Sequence, residues 1–351
     1  MIRNLLYISL FLCLIACKGN QQHEQTGVIS LRIDNFMKKQ YELGELFEVK
    51  VLDLHSDTSE YIGNIKDVTG IDSFIYTLDD LKSSVAKFNM NTGLLSREIC
   101  QRGNGPLEYV QPIALSADTT GIFLLDIGSF SILTFNKSLH AEKKIRLGFP
   151  AMDFVKVSDG FLCYNMSVSD TLRQVVYVDE SGRIKKSFGS TEMSPKKMYS
   201  GAKIFSTDPS GNVYCALPFE QTVYRWNEDL HELCPFVAFD FGARNLSEDI
   251  KQEGTDLLSD NVVTNEFFRI DTLLVNSFLY KTKRYYGFSS IGSGECQVGT
   301  VVDMREEKPF FPRWQIGNML VASFSYDEIG EQEANEKYGN ALLMFKLKNN
   351  K

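Results

Sequence analysis

Short apolar runs recur along the chain in pairs, and a polar turn separates the two runs of each pair. Six pairs occur, at 74–79 with 85–89, 122–126 with 132–136, 161–165 with 175–179, 213–217 with 223–227, 273–278 with 284–288, and 319–324 with 342–346. The runs are rich in β-branched and aromatic residues, which is typical of antiparallel strands joined by hairpins. The first runs of successive pairs begin about 40 to 60 residues apart, so the pattern predicts a repeated β unit.

Further strands complete these units. The runs 113–117 and 143–147 flank the second pair, and glycine-containing turns such as Asn91-Thr92-Gly93 and Asp208-Pro209-Ser210-Gly211 separate strands elsewhere. Four antiparallel strands in each of six units describe an all-β fold, the six-bladed β-propeller.

The two ends of the repeat suggest how the ring closes. The last unit, about 314–347, leaves no room for a fourth strand before Lys351, whereas the run 47–54 precedes the first complete unit. We therefore expect this N-terminal strand to complete the last blade, which would remove the open sheet edges of an unclosed ring.

The N-terminus predicts export. Twelve mostly apolar residues, Leu5 to Ala16, follow Arg3; as a helix they would span about 18 Å, short of the roughly 30 Å of a bilayer core. Leu14-Ile15-Ala16-Cys17 resembles the lipobox of bacterial lipoproteins, which implies a signal peptide at 1–16, lipidation of Cys17, a flexible tether at 17–27 and the propeller at 28–351. The alternative is a conventional signal peptide that happens to contain a cysteine.

Composition narrows the function classes. The chain has 37 Lys and Arg against 45 Asp and Glu, a net charge of −8, and no basic block, so nucleic acid is not an expected partner. A hydrophobic content of 43% with 12% aromatic residues excludes intrinsic disorder. We expect the cysteines beyond Cys17 to be small buried hydrophobic residues, although export would permit one disulfide. They are Cys100, Cys163, Cys215, Cys234 and Cys296.

The most distinctive segment, I-C-Q-R-G-N-G-P-L-E-Y at Ile99 to Tyr109, follows the last strand of the first unit. It resembles the G-R-G-P-G-E-[FY]-like segment of bacterial six-bladed β-propeller lipoproteins of the NHL-like type. The matching positions are Arg102, Gly103, Gly105, Pro106, Glu108 and Tyr109, followed by Pro112 and the run that ends at Asp126. Leu107 stands where the family usually has glycine. The resemblance implies the propeller fold and an envelope location.

This loop has two interpretations. In the first, its glycines bring backbone amides close to a ligand, and Arg102, Gly103, Gly105, Glu108 and Tyr109 form an anion or sugar subsite. In the second, the glycines permit a tight turn between blades, Arg102 pairs with a carboxylate and Tyr109 packs between blades. The sequence favours the second interpretation.

Candidate catalytic chemistry is sparse. There is no G-x-S-x-G motif, and His140 and His231 lie in equivalent hairpin turns where exposed turn residues are expected. Propeller lactonases and lyases hold calcium through oxygens from several blades, and four residues that end or interrupt strands could do the same. These are Asp79, Asp126, Asn165 and Asn276. The alternative is that Asp and Asn simply cap strand ends.

The sequence therefore predicts a lipid-anchored protein of the cell envelope that acts as a non-enzymatic binding or scaffold propeller. We expect the lipid anchor to attach the protein to a membrane. The expected ligand is an unidentified glycan, peptide or protein, and no cofactor is expected. The alternative is a calcium-dependent hydrolase or lyase built on the Asp and Asn set. Two polar stretches, 245–261 and 327–339, are expected to be surface insertions, and Trp226 and Trp314 to be strand residues.

Overall fold

The structure is a computed structural model that describes residues 27–33, 40–57, 63–165, 167–169, 171–190, 203–246, 261–281, 283–291, 296–302, 310–325 and 340–348. The predicted signal peptide and Cys17, almost all of the tether, most of the predicted insertion 245–261 and all of the insertion 327–339 lie outside these residues. No helix among the described residues is both long enough and apolar enough to cross a membrane.

Three strands and one short helix precede the first complete blade. They are β1 (Ile29–Arg32), β2 (Gln40–Glu42), α1 (Leu43–Leu46) and β3 (Phe47–Asp53). Blade 1 then contains β4 (Ile65–Ile71), β5 (Phe74–Asp79), β6 (Ser84–Asn89) and β7 (Leu95–Ile99). Blade 2 contains β8 (Pro112–Ala117), β9 (Ile122–Asp126), β10 (Ser131–Phe135) and β11 (Ala141–Arg146).

The remaining four blades follow in chain order. Blade 3 contains β12 (Ala151–Val157), β13 (Gly160–Asn165), β14 (Val175–Asp179) and β15 (Ile184–Phe188). Blade 4 contains β16 (Phe205–Thr207), β17 (Val213–Ala216), β18 (Thr222–Asn227) and β19 (Glu232–Asp240), followed by a 3-10 turn at Gly242–Arg244. Blade 5 contains β20 (Val263–Ile270), β21 (Leu273–Tyr280), β22 (Lys283–Ser290) and β23 (Cys296–Val302). Blade 6 contains β24 (Trp314–Ile316), β25 (Met319–Ser325) and β26 (Asn340–Leu347).

Each blade is an antiparallel sheet whose first strand is innermost. The first strands of neighbouring blades contact one another around a common axis, as β4 does with β8, β8 with β12, and β24 with β4. The six sheets confirm the predicted propeller. Trp226 and Trp314 are strand residues, as expected, and both are buried.

The N-terminal strand closes the ring as the sequence predicted. β3 pairs antiparallel with β26, from Phe47 opposite Leu347 to Asp53 opposite Ala341, and supplies the fourth strand of blade 6. The first and last parts of the chain are thereby hydrogen-bonded along a whole strand, so neither edge of blade 6 is left incomplete.

Two further N-terminal strands were not predicted. β1 pairs in parallel with β19, with Ile29 opposite Val237, and β2 pairs in parallel with β23, with Gln40 opposite Thr300. Blades 4 and 5 therefore have five strands each. The N-terminal segment passes along the outer edges of blades 4 and 5 and into blade 6 before blade 1 begins.

Apolar side chains fill the gaps between neighbouring blades. Strands such as β5 are buried on both faces, since Ile75 packs towards blade 6 while Tyr76 and Leu78 pack towards blade 2. Trp226 lies in the corresponding cluster between blades 3 and 4. This two-sided burial explains why the second and third strands of the units are nearly continuous apolar runs.

Candidate functional site

Tyr109 fixes the loop between blades 1 and 2. Its side chain is fully buried, and its hydroxyl donates to the carbonyl oxygen of Ser83 at 2.8 Å while accepting from the amide of Gln101 at 3.0 Å. Burial raises the pKa of Tyr109 to about 12, so the phenol keeps its proton at physiological pH. The loop is therefore tied at both its beginning and its end to the turn between β5 and β6.

Glu108 folds back into the same loop. The amide of Gly105 donates to Glu108 Oε2 at 2.7 Å, and a Cβ atom at Gly103 would overlap that oxygen. Lys144 on β11 donates from Nζ to the backbone carbonyl oxygen of Glu108 at 2.6 Å. The two glycines thus make room for a carboxylate that holds the loop's own backbone.

The structure brings four of the five predicted loop residues together as an internal framework, comprising Gly103, Gly105, Glu108 and Tyr109. Arg102 is exposed, and its guanidinium has no hydrogen bond or ion pair within the described part of the chain. Binding of a ligand by these residues stays a prediction.

The outer side of this loop forms one wall of an open cleft of about 680 Å³, here called the loop cleft. Its lining residues are Asn104, Gly105, Pro106, Ser129, Phe130, Lys144, Arg146 and Gly148. Two of them are cations and none is Asp or Glu, although the protein as a whole carries a net charge of −8. Both charged residues in the lining are therefore cations, while the carboxylates of Glu108 and Asp126 bond to the lining residues Gly105 and Ser129.

Asp126 joins the two walls of the loop cleft. Its carboxylate accepts from the amides of Val110 at 3.0 Å and Gln111 at 2.6 Å on the loop side. On the other side it accepts from the amide of Gly128 at 3.2 Å and from the hydroxyl of Ser129. One buried carboxylate thus positions both the loop and the turn that carries Phe130.

Sequence reasoning missed the cleft residues Phe130, Lys144 and Arg146. Lys144 and Arg146 belong to an outer strand whose alternation is that of any solvated edge, so their pattern carried no signal. The turn I-G-S-F at 127–130 ends in a phenylalanine, but only the structure shows that φ is 47° at this position. A left-handed backbone favours glycine or asparagine.

A second cavity, of about 440 Å³, lies on the propeller axis and is lined by residues from the first strands of all six blades. Lys203 lies at this axial cavity and binds two buried carboxylates. Its Nζ is 2.8 Å from Asp67 Oδ2 and 3.0 Å from Asp153 Oδ1. We call these three residues the axial triad; they connect the first strands of blades 1 and 3 to the segment that leads into blade 4.

Backbone amides complete the coordination of the axial triad. Asp67 accepts from the amide of Leu115 in blade 2 at 2.6 Å, and Asp153 accepts from the amide of Ile204 at 2.8 Å. Burial raises the pKa of Asp153, an effect that Lys203 only partly opposes. Burial alone would lower the pKa of Lys203, but the two carboxylates outweigh it and raise that pKa above its usual value. Lys203 is therefore a charged structural link across four blades.

The four residues considered for calcium lie on the second strands of four different blades. Asp79 accepts from the amides of Asn64 at 3.0 Å and Lys82 at 2.7 Å, so, like Asp126, it caps a turn of its own blade. The side-chain amide of Asn165 donates to the carbonyl oxygens of Ser167 and Arg173, both at 3.1 Å.

Asn276 differs from the other three because it lies within β21 rather than at its end. Neither polar atom of its buried side chain has a hydrogen-bond partner among the residues that the structure describes. Among the residues that the structure describes, no group of three or more His, Cys, Asp or Glu side chains is placed to hold a metal ion. The calcium site stays a prediction.

The histidines and cysteines are distributed over several blades. His140 is exposed in its turn, with Nε2 3.0 Å from Arg97, as expected, whereas half-exposed His231 stacks on Tyr177 with ring centroids 5.1 Å apart. Cys163 and Cys215 are buried as predicted. The prediction is wrong for exposed Cys100 and for half-buried Cys234, because both lie at or near the outer strands, where one side faces solvent. The side chain of Cys296 lies outside the described residues.

Solved structures share this fold at low sequence identity. A putative exported protein from Bacteroides fragilis has a TM-score of 0.73 at 17% identity over 92% of this chain and 100% of that one. A member of the DUF4221 family from Bacteroides vulgatus has a TM-score of 0.53 at 11% identity over 86% of this chain and 97% of that one. A streptogramin B lyase has a TM-score of 0.46 at 8% identity over 88% and 100% of the two chains. The first two likenesses concern the fold alone.

No curated protein sequence matches the chain significantly. A family model, described as a domain of unknown function, DUF4934, matches residues 29–350, which is nearly the whole described propeller. The chain therefore belongs to the DUF4934 family.

Proposed function

We propose that this protein is a non-enzymatic binding propeller of the cell envelope and that its ligand occupies the loop cleft. The observation that carries the proposal is that the cleft is held in shape before any ligand arrives. Tyr109, Glu108 and Asp126 fix its walls through buried or internal hydrogen bonds. A site whose shape is fixed in advance loses less conformational entropy on binding.

The volume of the cleft supports the same function. At about 680 Å³ it falls within the roughly 300–1,000 Å³ typical of small-molecule sites. Its lining combines one aromatic side chain, polar groups and two cations, and it opens directly to solvent. These features suit reversible capture of a ligand, which would be glycan, peptide or part of a protein partner.

Attachment to the envelope is the second part of the proposal. The lipobox-like segment before Cys17 supports a lipid anchor, and β1 begins at Ile29, so only about ten residues would separate the anchor from blade 4. Several acyl chains would hold the protein stably on a membrane. Mass spectrometry of the native N-terminus should show a lipid-modified cysteine as the first residue, and Cys17→Ser should release the protein from membranes. An unmodified N-terminus would overturn the anchor.

The binding site is tested by hydrogen–deuterium exchange on the full chain in detergent, with saccharide and peptide mixtures that first raise its melting temperature. We expect protection in 101–111, 127–131 and 141–148. Protection confined to the axial segments 68–71 and 313–317 would place the ligand elsewhere. Conversion of the ligand to a product would show that the protein is an enzyme and would refute the proposal.

A further inference from the structure

We propose that the ligand of the loop cleft is an acidic saccharide, with its anionic group on Arg146 and Lys144 and a sugar ring on Phe130. This inference rests on the proposed function and names the class of ligand. Three observations carry it: the charge of the cleft, the conformation of Phe130 and the space around both.

Charge favours an anion. Arg146 is exposed, and within the described part of the chain its guanidinium forms no hydrogen bond or ion pair. Lys144 uses one of its three donors on the carbonyl oxygen of Glu108 and is only half-exposed. The neighbouring carboxylate of Glu108 is exposed but accepts from the amide of Gly105, and it does not line the cleft. A guanidinium beside an ammonium group matches a carboxylate or sulfate, since both present several acceptor oxygens.

The ring of Phe130 stands out of the core at a turn position where the backbone has a positive φ. Its φ is 47°, and the side chain is 46% exposed. Two other bulky residues with positive φ are Leu139, which is fully buried, and Phe219, which packs on Leu246 and Val263. Packing against apolar neighbours offsets the backbone strain at those two positions, whereas Phe130 presents its ring to the cleft. The carbonyl oxygen of Phe130 accepts from the amide of Leu147 at 2.8 Å, and strained residues that their surroundings hold in this way cluster at functional sites.

The ring of Phe130 is flat, apolar and without a polar group, so it suits the C–H face of a pyranose ring. Asn104 lies in the same lining and supplies an amide for hydroxyl groups. Gly148 leaves the other wall free, since no atom lies within 4 Å of where a Cβ would stand. The ligand would therefore combine an apolar ring face, hydroxyl groups and a negative charge, which is the chemistry of an acidic sugar.

Isothermal titration calorimetry of the full chain in detergent tests this inference. The probes are trigalacturonate as a carboxylate source, neocarrabiose 4-sulfate as a sulfate source without a carboxylate, maltotriose as a neutral sugar, and glycerophosphoglycerol as a lipid headgroup. We expect at least one of the two acidic saccharides to bind at least tenfold more tightly than maltotriose and glycerophosphoglycerol, and more weakly at high salt. The tighter of the two acidic probes identifies which anionic group the site prefers.

Two variants make the test specific. Arg146→Gln should weaken acidic saccharides about tenfold, whereas Arg183→Gln, which removes an exposed arginine from blade 3, should change affinity less than twofold. Phe130→Gly should also weaken binding at least tenfold and leave the melting temperature unchanged or higher, because glycine tolerates a positive φ. Loss of affinity without loss of stability separates a binding role for Phe130 from a structural one.

The failures can be told apart. If maltotriose binds as tightly as the acidic probes and Phe130→Gly abolishes it, the acidic class is wrong but the binding function stands. If glycerophosphoglycerol binds more tightly than either saccharide, the cleft recognises lipid headgroups and the inference is overturned. If Phe130→Gly and Arg146→Gln leave the affinity of every probe unchanged, the ligand lies outside the loop cleft, which contradicts the proposed function as well.

Discussion

Replacing Lys203 by methionine tests the structural role of the axial triad. The substitution keeps much of the side-chain volume but leaves Asp67 and Asp153 buried without their shared cation. Lys203 is 19% exposed and makes hydrogen-bonded ion pairs of 2.8 and 3.0 Å with carboxylates that are 3% and 6% exposed. Removing one partner of such a buried group costs about 3–5 kcal/mol, a large fraction of the roughly 5–15 kcal/mol by which domains are stable.

Urea denaturation followed by the fluorescence of Trp226 and Trp314 measures this loss. Lys66→Met is the matched control, because Lys66 is also bound to an aspartate, Asp80 at 2.6 Å, but both side chains are about one third to one half exposed. Exposed pairs contribute about 0–1 kcal/mol. If Lys203→Met lowers the free energy of unfolding no more than Lys66→Met does, the axial triad does not stabilise the ring.

The pH dependence of the free energy of unfolding tests whether the loss in Lys203→Met is electrostatic. In the native protein the pKa of Lys203 is raised, so its contribution is present below about pH 10.4 and is lost as the pH rises through the folded-state pKa. Burial raises the pKa of Asp153, so the folded protein takes up its proton at a higher pH than the unfolded chain. Without Lys203 the pKa of Asp153 should rise further. The free energy of unfolding of Lys203→Met should therefore come closer to that of the native protein as the pH falls from 7 to about 4.5. Adding Asp153→Asn should restore part of the loss at pH 7, and no recovery by either route would refute the electrostatic explanation.

Three further predictions follow from single contacts. Tyr109→Phe should cost about 1–3 kcal/mol in urea denaturation, since it leaves the amide and carbonyl partners of a buried hydroxyl unpaired; a change below 0.5 kcal/mol would mean that the loop is not held there. Gly93→Ala should lower the midpoint of urea denaturation far more than Gly211→Ala. Both glycines have a positive φ, but only at Gly93 would a Cβ overlap the carbonyl oxygen of Asp53 in the closing strand. Equal midpoints for the two variants would contradict this. Asp126→Asn should lower the melting temperature equally with calcium and with chelator, and a calcium-dependent shift that this variant abolishes would establish the metal site instead.

The fold could be predicted because local and global signals agree. β5 begins and ends at the predicted residues, 74 and 79, and β9 and β14 also match their runs residue for residue. Burial on both faces makes these strands apolar throughout, and some of the hairpin turns carry a glycine with positive φ, as Gly93 and Gly182 do. The closing strand was predictable from a count of strands alone. β1 and β2 were not, because strands of four and three residues in parallel edge pairing have neither a hairpin turn nor a sustained alternation.

The candidate site could be predicted only in part. The Gly-rich loop is visible in the sequence, but the hydrogen bonds by which Glu108 and Tyr109 shape it depend on how the loop folds. The residues that line the cleft come from the next blade, and their proximity depends on the angle between blades, which no short-range pattern encodes. The same holds for Phe130, because the positive φ that makes a phenylalanine unusual there is visible only in the structure.

Structural and binding residues in this propeller differ in whether their charged groups already have partners within the protein. Asp67 and Asp153 pair with Lys203, and Asp126 is saturated by amides and a hydroxyl, so each of them already holds protein atoms in the places where a ligand or metal would compete. Arg146 forms no such bond within the described residues and opens onto a cleft whose walls those saturated groups have fixed. By residue type alone, an aspartate that caps a strand is a better candidate than an arginine on an edge strand. Hydrogen bonding reverses that order, because a polar group already bonded within the fold must give up a partner to bind anything else, whereas Arg146 need not.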